Sequence, residues 1–132
     1  MLQTISVHSH NHTEFIRLDS EIQTIVSESG VKNGLCVIFA PHTTAAITIN
    51  ENADPDVVRD IIAETDKVIP WRDGYRHMEG NSAAHIKSSL FGASETILIQ
   101  NGRLKLGTWQ SIYFCEFDGP RHRKVWVQLI SE

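Results

Sequence analysis

Two of the seven histidines, His77 and His85, fall within the stretch RHMEGNSAAH, with Glu79 between them. Imidazole and carboxylate groups are the side chains that hold divalent metals or move protons near neutrality. Along an unbroken helix the two histidines would lie about 12 Å apart in axial rise. Nitrogens that share a zinc ion must each approach it to about 2.1 Å. The pair can therefore meet one ion only if the backbone breaks between them. Gly80-Asn81 supplies that break, leaving His77 in a loop and His85 in the first turns of a new helix. Two other readings stay open for the same residues: an acid–base pair with Glu79 orienting an imidazole, or a loop that simply runs into a helix.

A third metal ligand has to come from elsewhere in the chain. His42 of APHTT, at a strand end beside two threonines, is the best candidate, with Glu79, Glu51 and Asp54 as alternatives. His8, His10 and His12 form a separate cluster. In an extended strand they would share one face at steps of roughly 7 Å, either as a metal site or as solvent-facing histidines of an edge strand.

Other polar groups extend the set. Glu51, Asn52 and Asp54 directly follow the strand-like AITIN, where carboxylates bind a cation, act as a base, or cap the next helix. Pro55 favours the cap for Asp54, whereas Glu51 has no such structural reason. Arg121 in DGPRHRK follows a turn and presents either a planar fork to a phosphate or a solvated hairpin tip. In GTWQ, Trp109 and Gln110 offer an aromatic face and an amide that suit a flat heterocycle, or a packed tryptophan with its partner.

The elements that must position these groups can be read from hydrophobic period. QTISVHS and TEFIRLD read as strands, and SEIQTIVSESG as a short amphipathic helix with Ser20 and Gln23 in a capping-box pattern and Gly30 as its stop. GLCVIFA and AITIN read as strands separated by the PHTT bend. Asp54-Pro55 opens a second helix whose apolar stripe is Val57, Val58, Ile61 and Ile62. VIPWRDGYRHMEG is a loop long enough to suggest function. SAAHIKSSLFG is a third helix, entered through Asn81 or Ser82 and left at Gly92. The remainder, SETILIQ, TWQSIYFCEF and RKVWVQLI, is strand-rich, joined by NGRLKLG and the DGPR turn. Several of these strands are apolar at both parities and so need cover on both faces, from a second layer or a neighbouring subunit. The expectation is a single α+β domain spanning residues 1–132, mainly antiparallel strands packed with about three short helices, and oligomeric.

With 132 residues, 41% hydrophobic and 21% charged, the composition fits one globular domain. No apolar run approaches the roughly 20 residues of a membrane span, and the amino terminus lacks a signal-peptide layout; the expected location is the cytoplasm, without a membrane partner. A net charge of −4 argues against a nucleic-acid partner. Arg121, Arg123 and Lys124 nevertheless cluster near the end, with Arg103 and Lys105 not far upstream, which leaves a local anion site open, while Glu51, Asp54, Asp56 and Asp60 gather elsewhere. Cys36 and Cys115 sit singly in apolar runs and read as buried thiols rather than a disulfide framework or zinc ribbon.

HTTAAITINENADPD, HMEGNSAAHIKSSLFG and GTWQSIYFCEFDGPRHRK together resemble the YjbQ-like family, often described as secondary thiamine-phosphate synthases. The resemblance spans nearly the whole chain after the first strand. It implies a compact α+β fold, a homotrimer, and a polar pocket near subunit contacts where histidines hold a divalent metal, zinc or magnesium. It carries onto His42, Glu51, Asp54, His77, Asn81, His85, Trp109, Gln110, Glu116, Asp118 and Arg121. His42, His77 and His85 are then the expected metal ligands, and Glu51, His77, His85 and Arg121 the catalytic groups. Asn81, Trp109, Gln110 and Arg121 would bind a phosphorylated small molecule. The implied reaction joins hydroxymethylpyrimidine diphosphate to thiazole phosphate and expels pyrophosphate. Two alternatives remain, a metal-dependent hydrolase and a non-catalytic trimer that binds a metabolite or metal. An ordinary eight-fold β/α barrel of about 250 residues does not fit this length.

Overall fold

A computed structural model describes residues 1–132 as an α+β domain. In chain order the elements are β1 (Gln3–His8), β2 (Glu14–Arg17), α1 (Asp19–Ser29), β3 (Gly34–Phe39), β4 (Ala45–Glu51), α2 (Pro55–Val68), α3 (Ser82–Phe91), β5 (Ser94–Gln100), β6 (Arg103–Leu104), β7 (Gln110–Glu116) and β8 (His122–Ser131). Strands assemble antiparallel into a larger sheet, β1-β8-β3-β5-β6, and a smaller one, β2-β7-β4.

The small sheet explains why β7 is apolar at both parities. Ile112 and Phe114 join Ile47 and pack toward Cys36, Ile38, Ile97, Val125 and Val127 of the large sheet, with Ile22 and Val26 of α1 in the same cluster. The alternate residues Tyr113 and Cys115 pack with Ala46, Phe117 and Ala84 of α3 on the opposite face. The small sheet is thus covered on both sides within one chain, as such a pattern requires. The large sheet is not. Phe39, Leu98, Trp126 and Ile130 remain exposed on its outer face, where Phe39 stacks on Trp126 with ring centroids 5.9 Å apart.

Local signals in the sequence fare unequally. Asp54 does cap α2, its Oδ1 accepting the Asp56 N–H at 2.9 Å ahead of Pro55. Gly30 ends α1 in the left-handed region, with φ 77°. The capping box does not form: α1 begins at Asp19, Ser20 lies inside it, and no side chain caps the start. Gln23 instead donates to the Gly102 carbonyl and accepts the Leu104 N–H, clamping the β5–β6 hairpin. The apolar stripe of α2 is present, but none of its residues is buried. Both thiols are free and buried, and burial pushes Cys36 up to about 11 and Cys115 well above the usual range. At neutral pH neither is a nucleophile.

Candidate functional site

β3, the β3–β4 bend, α3 and the turn before β8 meet around a cleft of about 470 Å³. Its polar lining includes His42, Glu79, Asn81, His85, Arg121 and Arg123, and its apolar wall comes from Phe39, Ala40 and Pro41.

Arg123, on the cleft lining, belongs to a buried ion pair. Glu116 is fully buried and Arg123 is 5% exposed. Arg123 donates through Nε to Glu116 Oε1 at 2.9 Å and through Nη2 to Oε2 at 2.5 Å, a bidentate fork. Glu116 also accepts the Ser9 hydroxyl at 2.7 Å and the Asp118 N–H at 3.0 Å, while Arg123 reaches Thr44 Oγ1 at 2.8 Å. Burial opposes the charge on Glu116, but the hydrogen bonds from Arg123, Ser9 and Asp118 outweigh it and hold the carboxyl below its usual range. Gly119 is required here by close approach. A Cβ on it would stand 2.3 Å from the Asn11 carbonyl oxygen and 2.8 Å from Glu116 Cγ. Ser9 and Thr44 are parts of the site with only a weak trace in the sequence, because single hydroxyl residues carry no spacing pattern.

Asp118 organises the rim. Arg121 donates through Nε to the Asp118 carbonyl at 2.8 Å and through Nη2 to Oδ2 at 3.0 Å, leaving Nη1 without a partner in the chain. Asn81 Nδ2 donates to the same Oδ2 at 2.9 Å and to Glu79 Oε2 at 3.2 Å. Two carboxylate acceptors fix the orientation of this amide, so Asn81 precedes α3 without capping it through its side chain. Its Oδ1 is buried with no partner.

The break between the two histidines is present. Gly80 has φ 83°, a left-handed conformation that suits glycine, and α3 starts at Ser82. His77 and His85 come together edge to face with centroids 5.4 Å apart. His85 lines the cleft, whereas His77 lines an adjoining hollow formed by the 71–80 loop, so the pair sits where the two meet. Glu79 Oε1 is 3.8 Å from His77 Nε2.

His42 lines the cleft but spends Nε2 on the backbone of β8, 2.9 Å from Lys124 N and 3.0 Å from Lys124 O. The register explains this. β3 pairs Phe39 with Trp126 and Val37 with Gln128, so the next outward position, opposite Lys124, is Pro41, which has no N–H to give. The imidazole takes the place of the missing strand. Desolvation first, and the Arg123 charge second, lower its pKa from 6.5, which keeps the ring neutral. Only Nδ1 is left for other work. In one chain, no three His, Cys, Asp or Glu side chains stand close enough to enclose an ion.

Glu51, Trp109 and Gln110 are not brought to this cleft. The β4–β7 register runs from Ala45 opposite Glu116, at the cleft, to Glu51 opposite Gln110 at the far end. Six residues at about 3.3 Å each put the two ends roughly 20 Å apart. Trp109 is 62% exposed there, Gln110 Oε1 accepts the Gly107 N–H at 2.8 Å, and the Glu51 carbonyl accepts the Tyr113 hydroxyl at 3.0 Å. Asp54 is occupied as a helix cap. The apolar lining of the cleft comes from Phe39, Ala40 and Pro41, without Trp109. The triple-histidine face also does not form. β1 ends at His8, and His12 turns edge-on to Trp71 at 4.3 Å.

Comparison with known proteins matches residues 3–132 to the sequence profile described as UPF0047 protein YjbQ-like. The UPF0047 protein YugU of Bacillus subtilis is 50% identical over 132 residues, covering 99% of this chain and 100% of the relative. A UPF0047 protein of Methanocaldococcus jannaschii is also 50% identical, covering 100% and 96%. The crystal structure of an uncharacterized YjbQ/UPF0047 protein from Clostridium acetobutylicum superimposes with TM-score 0.95 at 58% identity, covering 97% of this chain and 99% of that one. A protein of unknown function from Sulfolobus solfataricus has the same TM-score at 32% identity, covering 100% and 97%. No helix of the chain is long and apolar enough to cross a membrane.

Proposed function

This chain belongs to the YjbQ-like UPF0047 family, and we propose that its cleft is the site of a small metal-assisted enzyme acting on a phosphorylated small molecule. The observation that carries the reading is the approach of His77 to His85 across the Gly80 break, at the edge of a cleft that also holds Glu79 and Arg121. Two imidazoles with a neighbouring carboxylate suit zinc rather than magnesium, which prefers an all-oxygen shell. His77 and His85 are the ligands, with His42 joining only through Nδ1. When bound, the ion would supply positive charge to a departing phosphate or diphosphate.

The chain's own groups serve the rest of that chemistry. Arg121, anchored by Asp118, directs its free Nη1 at the anionic group. When its Nδ1 is not on the ion, neutral His42 can give a proton from that atom to the departing diphosphate. Glu79, the exposed carboxylate nearest His77, orients that imidazole, and would be the base only in the hydrolase, where water is the nucleophile. Phe39 and Pro41 shield a flat heterocycle from water.

The specific reaction proposed is the one the family resemblance implies. The bond between the pyrimidine methylene and the diphosphate breaks, the thiazole nitrogen forms the new C–N bond, and pyrophosphate leaves. A homotrimer is part of the same reading. Exposed Phe39, Leu98, Trp126 and Ile130 and the unburied stripe of α2 are surfaces it would cover, and Glu51, Trp109 and Gln110 could reach a cleft only from a neighbouring chain.

The test supplies hydroxymethylpyrimidine diphosphate and thiazole phosphate to untagged zinc-loaded protein. Thiamine phosphate should form, and Arg121→Ala and His85→Ala should each slow it at least tenfold. Pyrophosphate release without thiamine phosphate would replace the synthase with a hydrolase. Neither product, with anion binding lost in Arg121→Ala, would leave a binding protein.

A further inference from the structure

The histidine of β1 that the cleft does not use has a partner of its own. His8 lies directly opposite His122, the first residue of β8. Because the Ser9 N–H donates to the Arg121 carbonyl at 3.0 Å in the adjacent pair, alternation makes His8–His122 a non-hydrogen-bonded pair. Such pairs hold their Cα atoms about 4.5 Å apart and bring their side chains together. The two rings are stacked, with centroids 4.2 Å apart and planes within 16°. Both side chains are exposed, while Val7, Ser9 and Arg123 on the flanking positions are buried and anchor the strands beneath them.

We propose that His8 and His122 form a two-imidazole surface chelate for a late first-row divalent ion of the Cu2+, Ni2+ and Zn2+ class. Imidazole nitrogen is a preferred donor for these ions. The sheet has already placed the two rings side by side, so little backbone order is lost on binding. A modest opening of the stack about the ring torsions brings one nitrogen from each to a common ion, and water completes the shell. His10 and His12 take no part. The chain bends away after His8, the backbone N–H of His10 is held by Glu14 at 2.8 Å, and His12 packs against Trp71. Two protein ligands make an exchangeable site, unlike the four-ligand shell of structural zinc. Lys124, one outward position along β8, adds a positive charge roughly 7 Å away. Cu2+, which binds nitrogen ligands most strongly of the series, should therefore bind tightest.

This pair shares no ligand with the cleft, and the experiment separates the two. Untagged protein is titrated with Cu2+ and, separately, Ni2+ by calorimetry, and the Cu2+ complex is examined by electron paramagnetic resonance. The expected result is a site that His8→Asn or His122→Asn each weakens at least tenfold and that a His77→Ala, His85→Ala double variant retains, with nitrogen couplings from two imidazoles. Far-UV circular dichroism checks that the surface variants remain folded. Titrations of both asparagine variants that superimpose on the wild type would overturn the proposal, as would loss of the site in only one of them.

Discussion

His77 and His85 stand edge to face with ring centroids 5.4 Å apart, although an unbroken helix would separate them by about 12 Å along its axis. The difference is made by Gly80, whose φ of 83° turns the loop into α3. A Cβ at Gly80 would meet nothing within 4 Å, so Gly80→Ala is penalised by backbone conformation alone. It should cost about 1 kcal/mol of stability by urea denaturation and weaken zinc binding, while Gly74→Ala, at φ 68° in the same loop, should cost as much stability and leave zinc binding closer to wild type.

Glu116 and Arg123 form a pair that is damaging to break singly. Glu116→Ala leaves a buried guanidinium without its bidentate partner and should cost about 3–5 kcal/mol. Replacing both, as Glu116→Leu with Arg123→Met, should be less destabilising than the single change. Urea midpoints at pH 7 for the single and double variants give the comparison directly.

Lys87 follows the same logic nearer the surface. Its side chain is 4% exposed, and its ammonium pairs with Asp66 of α2, 54% exposed, at 5.8 Å from the Phe117 ring centroid. Removing the carboxylate strands a buried charge, so Asp66→Asn should cost about 1–3 kcal/mol, more than Lys87→Met, which removes the charge itself. As α2 has no buried residue, hydrogen exchange in Asp66→Asn should rise first along 55–68.

The pH dependence of stability follows from two lowered pKa values. The folded state favours neutral His42 and ionised Glu116, so in each case the unfolded chain binds protons more readily. Stability is full above about pH 6.5, falls first as His42 is driven to protonate, and falls again below about 4.5 as Glu116 does. Thermal denaturation between pH 8 and 3 should show both declines. His42→Gln should flatten the upper one and leave the lower one in place.

Much of the fold was legible because its signals are local. Asp54-Pro55, Gly30 and the period-2 strands each act through a few neighbouring residues, and the structure follows them. Ser20 and Gln23 mislead because Leu18 is fully buried, fixing the start of α1 by packing, and Gln23 finds partners on a distant hairpin. The approach of His77 to His85 was legible at RHMEGNSAAH for a physical reason, since glycine between two histidines is itself a geometric statement. Elsewhere it depended on strand register, which joins Ser9, Glu116 and Arg123 across the chain and leaves Glu51 and Gln110 at the opposite end of the sheet. Residue type alone does not reveal that separation. Likewise Pro41 and His42 read as a bend, and only the β3–β8 register shows the imidazole replacing a strand.

Zinc binding by His77 and His85 can be measured by a competition titration of untagged protein carrying His8→Asn, which silences the β1–β8 histidine pair, with and without His77→Ala or His85→Ala. One zinc ion per chain is expected in the His8→Asn background, with at least a tenfold loss of affinity in each further variant. Equal zinc affinity in all three proteins would contradict it.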